Sequence, residues 1–140
     1  FLINRTNSGG SKRPPINRKF IYYYDRPERI TVHAVALDDY LEKKEFDLII
    51  MDIEGSEYFA LKGMRMILEN SKVLMVEFLP HHLRNVSGVT VEQFLSVMPK
   101  YQSLTISSSG VKVDPTRFLS ILSDMYDREL GDDGIIFEKA

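Results

Sequence analysis

Asp52, Glu54 and Glu57 follow the apolar run FDLIIMDI with almost no spacing, Glu77 sits inside a second apolar run, KVLMVEF, and His81 and His82 come shortly after it. Oxygen and nitrogen groups gathered like this could hold a divalent cation, act as a general base on a hydroxyl, or hydrogen-bond a polar substrate. An acid at the end of a greasy strand costs free energy unless it has a partner or a task, which weighs Asp52 toward function. Glu57 also suits a plainer role, an acid at a helix start that satisfies free backbone N–H groups. Glu77 is balanced between the two, and His81 and His82, flanked by Pro80 and Leu83, read as a surface loop.

These residues need elements to position them. Phe46–Ile53 is nearly continuously apolar, the pattern of a strand in a parallel sheet with helices on both faces. Ala60, Leu61, Met64, Ile67 and Leu68 recur at helical spacing, predicting one helix over 57–69, with Gly63 allowing a close approach to the sheet. KVLMVEF predicts a second buried strand, stopped by Pro80. ITVHAVAL, residues 30–37, reads as a further strand, with Asp38 and Asp39 capping a short helix after it. KFIYYY is a weaker strand candidate. Thr90 with Gln93 forms a capping box, Asp114–Pro115 opens another helix, and YQSLTI and IIFEK are strands. Ligands in open parallel sheets bind beyond the carboxyl ends of the strands, which places Asp52, Glu54 and Glu77 on one site edge. The reading is an α/β layered domain with a mostly parallel sheet over 30–140, preceded by an irregular loop region over 1–29.

Composition narrows the function classes. The 140 residues, 44% hydrophobic and 11% aromatic, are enough for one core. A net charge of −2 gives no basic field for nucleic acid, and the basic stretch Lys12, Arg13, Arg18 and Lys19 lies among turn formers as a solvated loop. No cysteine is present, so disulfides and thiolate chemistry are excluded. No apolar run reaches membrane-spanning length and no targeting signal is legible, which fits a cytoplasmic protein.

Taken together, FDLIIMDIEGSEYFALKGM followed by KVLMVEFLPHHL resembles the carboxy-terminal half of the FkbM-type methyltransferases. The matching features are Asp52, the Asp-x-Glu-Gly-x-Glu run through Gly55, Leu61 with Gly63, and Glu77–Phe78; VALDDYL and the upstream NSGG add to them. The resemblance implies a Rossmann-like fold, S-adenosylmethionine as cofactor, and O-methylation of a small-molecule or sugar hydroxyl. It further implies Asp52, Glu54 and Glu57 as catalytic residues, Asp52 also beside the donor, and Glu77 and His81 against the acceptor, with no metal. The glycine-rich donor turn and the acid after a second strand have no match, since NSGGSKR follows no full strand and is succeeded by prolines. The expectation is therefore a partial domain lacking its first strands, inactive alone and associating with another copy through an exposed sheet edge. A noncatalytic module with an acidic pocket is the alternative, and a metal-dependent hydrolase built on Asp52, Glu54, Glu77 and His81 a third reading.

Overall fold

The computed structural model describes residues 1–139. A two-residue strand β1 (Leu2–Ile3) pairs antiparallel with β2 (Glu28–Arg29), and the loop between them carries a short 3-10 turn at Phe20–Tyr22 where the sequence allows a strand. A single turn α1 (Leu37–Tyr40) precedes β3 (Leu48–Met51). Next come α2 (Glu57–Lys62), α3 (Arg65–Asn70), β4 (Val73–Phe78) and the short α4 (Pro80–His82), which runs on as a π turn over Leu83–Ser87. The chain closes with α5 (Val91–Ser96), β5 (Ser103–Ile106), β6 (Val111–Val113), α6 (Phe118–Asp127) and β7 (Asp132–Glu138).

The main sheet has the order β3-β4-β7-β5-β6. Only β3 and β4 are parallel; β4 with β7, β7 with β5 and β5 with β6 are antiparallel. This corrects the expectation of a mostly parallel sheet. The last strand, IIFEK extended back through the expected GDDG turn to Asp132, enters between β4 and β5 in the opposite sense, and β6 returns on β5 as a hairpin. A single parallel βαβ unit, β3 through β4, is what the apolar pattern identified.

The two faces of the sheet differ. Leu74, Val76 and Phe78 of β4 and Ile135 and Phe137 of β7 lie at 0–2% exposure in a core shared with Leu61, Ile67, Leu68, Phe94 and Leu122 of the helices. On the other face Leu48 and Ile50 of β3 stay 51% and 67% exposed. The continuous apolar run of β3 thus reflects one buried face and one open apolar face, not helices on both. Residues 30–36 form no strand; Val32 and Val35 are each half exposed, and with no partner strand their β-branched side chains cannot order the segment as sheet.

The expected helix over 57–69 breaks at Gly63 and Met64. Gly63 accommodates the chain before α1: a Cβ there would stand 3.3 Å from the Ala36 Cα, so its close neighbour is a loop and not the sheet. Asp38 spans the same junction. Its carboxylate accepts hydrogen bonds from the Met66 and Ile67 N–H groups at 2.8 and 3.0 Å, capping α3 and not the turn in which it sits. The Thr90–Gln93 capping box of α5 forms as expected, and Asp114 caps the 3-10 turn Pro115–Arg117 that leads into α6. Because Asp38 satisfies two free donors of α3, Asp38→Ala is expected to lower stability by about 1–2 kcal/mol in denaturant unfolding with an unchanged m-value.

Candidate functional site

The site is built around the exit of β3. Ile53 to Ser56 makes a tight turn, closed by the Ser56 N–H donating to the Ile53 carbonyl at 3.3 Å, with φ of +57° at Glu54 and +89° at Gly55. Two consecutive positive φ values suit glycine, and a non-glycine residue such as Glu54 adopts one only when its surroundings enforce it. The enforcing group is Glu57. Buried to 5% exposure, its Oε1 accepts from the Ile53 N–H at 3.0 Å and the Gly55 N–H at 3.2 Å. Burial raises the Glu57 carboxyl above the usual range, against the opposing pull of these backbone bonds. From the other side the Ser87 hydroxyl donates to the Gly55 carbonyl at 2.5 Å, and Val86 packs so close that a Cβ on Gly55 would lie 2.6 Å from its Cβ.

The turn displays Asp52 and Glu54. The β3–β4 register, Met51 opposite Val76, places Asp52 beside Glu77 on the open face of the sheet. Asp52 is exposed, so it does not suffer the full desolvation its sequence position implies. Its carboxyl is nonetheless raised above the ordinary aspartate range, first by partial burial, then by the negative charges of Glu77, Glu54 and Asp133. Glu77 is nearly closed off, with 10% of its side chain exposed.

His82 joins the two glutamates. It is buried, not on a surface loop as the sequence suggests, with Nδ1 3.3 Å from Glu77 Oε2 and Nε2 3.6 Å from Glu54 Oε2. Lys12 completes the chain, its ammonium 3.0 Å from Glu54 Oε2 with only 12% of the side chain exposed. A lysine placed in the solvated loop by sequence thus folds into the site. The apolar neighbours Leu2, which bridges backbone to Lys12, and Tyr22 draw it there, a signal that spacing alone does not carry. His81 points elsewhere: its Nδ1 is 3.2 Å from the Tyr22 hydroxyl, which also donates to the His81 carbonyl at 3.1 Å. Burial and the adjoining His82 keep His81 below the usual histidine range. Of the expected site residues, then, the structure brings Asp52, Glu54 and Glu77 together, sets Glu57 beneath them as the support of the turn, and holds His81 on the Tyr22 side.

The amino-terminal segment is tied over this end of the sheet. Ile16 and Asn17 donate backbone N–H groups to the Val86 and Asn85 carbonyls, and the Arg13 guanidinium lies 3.6 Å from the Phe59 ring centre. A cleft of about 450 Å³ opens between the two parts, lined by Phe1, Gly9, Ser11, Asp52, Glu54 and Ser56. Among the described residues no group of three or more histidines and acids is arranged to hold a metal ion. No described helix is long and apolar enough to cross a membrane.

Glu57→Ala removes the acceptor of two backbone donors in a buried turn and is expected to cost about 2–4 kcal/mol in equilibrium unfolding, while Glu57→Gln, which keeps an acceptor oxygen, costs less than half as much.

The comparisons with known proteins bear on the same region. The family described as Methyltransferase FkbM domain matches residues 3–105, which takes in both sides of the cleft and the whole β3–β4 unit. No curated protein and no solved structure matches the chain. With about three quarters of its length matched, from the amino-terminal segment to β5, the chain belongs to the FkbM methyltransferase domain family.

Proposed function

We propose that the cleft at the β3 exit carries S-adenosylmethionine-dependent transfer of a methyl group to a hydroxyl oxygen of a small-molecule or sugar acceptor. The observation that carries this reading is the convergence of Asp52, Glu54 and Glu77 at the carboxyl ends of the one parallel strand pair, inside the family-matched region. The donor set fits the sulfonium end of the cofactor: carboxylates of Asp52 and Glu54 offer charge complementarity, and Gly9 and Ser11 line the same cleft. S-adenosylmethionine supplies the electrophilic methyl group when bound. Asp52 then takes the proton of the acceptor hydroxyl on its carboxylate, and its raised position on the pH scale makes it a better base than an ordinary aspartate. Glu54, held by Lys12 and His82, and Glu77, held by His82, shape the acceptor side. Glu57 contributes through the turn it fixes, while His81, held against Tyr22, does not line the cleft.

The test is calorimetric titration with S-adenosylmethionine and its demethylated product, beside a labelled-methyl assay over a panel of hydroxylated acceptors. Asp52→Asn is expected to lower turnover by about 10²–10⁴-fold while the variant stays folded. A base must be ionised to act, so the rate of the parent chain should rise with pH through an apparent pKa above the usual aspartate range, and that limb should vanish in the variant. The same shift has a stability sign. A carboxyl raised in the folded state favours folding below its unfolded pKa and loses that contribution as pH rises through the folded value. Asp52→Asn should therefore melt higher than the parent at neutral pH and equal it in acid. Absence of cofactor binding by the chain, together with a rate indifferent to Asp52→Asn, would defeat the proposal.

We also propose that two copies associate through β3, whose outer edge has no strand partner among the described residues and which exposes Leu48 and Ile50 beside it. Size-exclusion with light scattering at high concentration should show a dimer or larger species, and Ile50→Lys should shift it to monomer.

A further inference from the structure

The charge of the chain is unevenly spread. Residues 1–29 hold seven arginines and lysines against Asp25 and Glu28, while residues 30–140 hold eleven against eighteen acids, so a basic segment sits on an acidic body. Three of the seven cations are committed, Arg5 to Glu28, Lys12 to Glu54 and Arg13 to the face of Phe59. Arg18, Lys19, Arg26 and Arg29 are exposed and pair with no acid among the described residues. Between them the 3-10 turn and the residues after it show water their most apolar side chains, with Phe20 82% exposed, Ile21 65% and Tyr24 62%. The display is anchored. Tyr22 is buried and its hydroxyl donates to the His81 carbonyl, the Asn17 N–H donates to the Asn85 carbonyl, and the Tyr23 and Arg26 N–H groups close two successive turns onto the Phe20 and Tyr23 carbonyls. Apolar surface held outward and rimmed by unpaired cations marks an interaction surface.

Two properties choose the partner. Cations without fixed acids suit a diffuse negative charge, and Phe, Ile and Tyr beside Lys and Arg are the composition that enters the boundary between headgroups and acyl chains. A single strand of nucleic acid offers the same charge, but the exposed Ile16 and Ile21 present no ring on which a base could stack. We infer that the segment 16–29 is a docking surface for an anionic lipid membrane, with Phe20 and Ile21 entering the interface and Arg18, Lys19, Arg26 and Arg29 meeting the headgroups. Ile21 and Tyr24 also line, with Asp25 and Glu54, a cavity of about 180 Å³. Glu54 lines the Asp52 cleft as well, so the docked face adjoins the candidate site. Docking of this kind does not depend on methyl transfer.

The experiment is co-sedimentation of the full chain with vesicles of phosphatidylcholine, alone or with about one third phosphatidylserine. Binding to the anionic vesicles is expected to be about tenfold tighter or better, and Arg18→Glu with Lys19→Glu to erase that preference. Phe20→Ser should weaken anionic-vesicle binding about five- to tenfold. The chain has no tryptophan, so Phe20→Trp adds a single reporter whose emission should shift to the blue only with anionic vesicles. That variant leaves every charge in place, and its emission decides the matter even where the charge-reversed variant melts early. Equal binding to both vesicles, or an unshifted Phe20→Trp emission, would overturn the inference. So would anionic binding that Phe20→Ser leaves unchanged, which would mean charge without insertion. Tighter binding of oligothymidylate than of the anionic vesicles would hand the surface to nucleic acid instead.

Discussion

The hydrogen bonds that Glu57 accepts from the Ile53 and Gly55 N–H groups are the constraint on which the site depends. A strand that must stop and reverse within a few residues leaves backbone donors pointing inward, where water cannot reach them. One buried carboxylate oxygen answers two of them, and in doing so holds Glu54 and Gly55 in a left-handed conformation that only the glycine would adopt freely. Val86 and Ser87, from the π turn after β4, close on the same turn from above. The acids that face the cleft are thus displayed by a rigid support whose own acid is out of reach of any substrate. Glu57 therefore belongs to the fold, and Asp52 to the charge of the cleft.

The charge balance follows from this geometry. Glu77 and Glu54 lie near enough to add to the cost of ionising Asp52, and the three acids are paired unequally. Glu54 receives Lys12 and one nitrogen of His82, Glu77 receives the other, and Asp52 receives neither. Asp52, left without such a partner, has its proton affinity raised first by partial burial and then by these neighbouring charges, the direction that favours a carboxylate accepting a proton. The N-terminal segment matters here as more than a cover, since Lys12, the ion-pair partner of Glu54, comes from it.

Much of the positioning frame was legible in the sequence because it rests on local rules. β4, the Thr90–Gln93 box and the Asp114–Pro115 start each depend on residues close together in the chain. The acidic exit was legible too, as types and spacing at the end of an apolar strand. What sequence could not carry was the direction of β7, which decides that the sheet is mainly antiparallel and is set by pairing across more than fifty residues. Nor could it show that Asp38 caps a helix twenty-eight positions away, that His82 is buried between two glutamates, or that Lys12 leaves its polar loop for Glu54. These are tertiary contacts of ordinary polar residues, and each looks like a surface residue until the chain folds over it. The strand expected over 30–37 failed for a related reason: β-branched residues make a strand only where another strand accepts their hydrogen bonds.

Glu54 is where these separate facts meet. Its backbone is strained by the turn, its carboxylate is shared between Lys12 and His82, and the residue lines both the cleft at Asp52 and the cavity at Asp25. The left-handed backbone at Glu54 thus has a reason beyond turn geometry: it keeps one carboxylate between Lys12 and His82, which a relaxed extended backbone, carrying the side chain to one face of the strand, would not do.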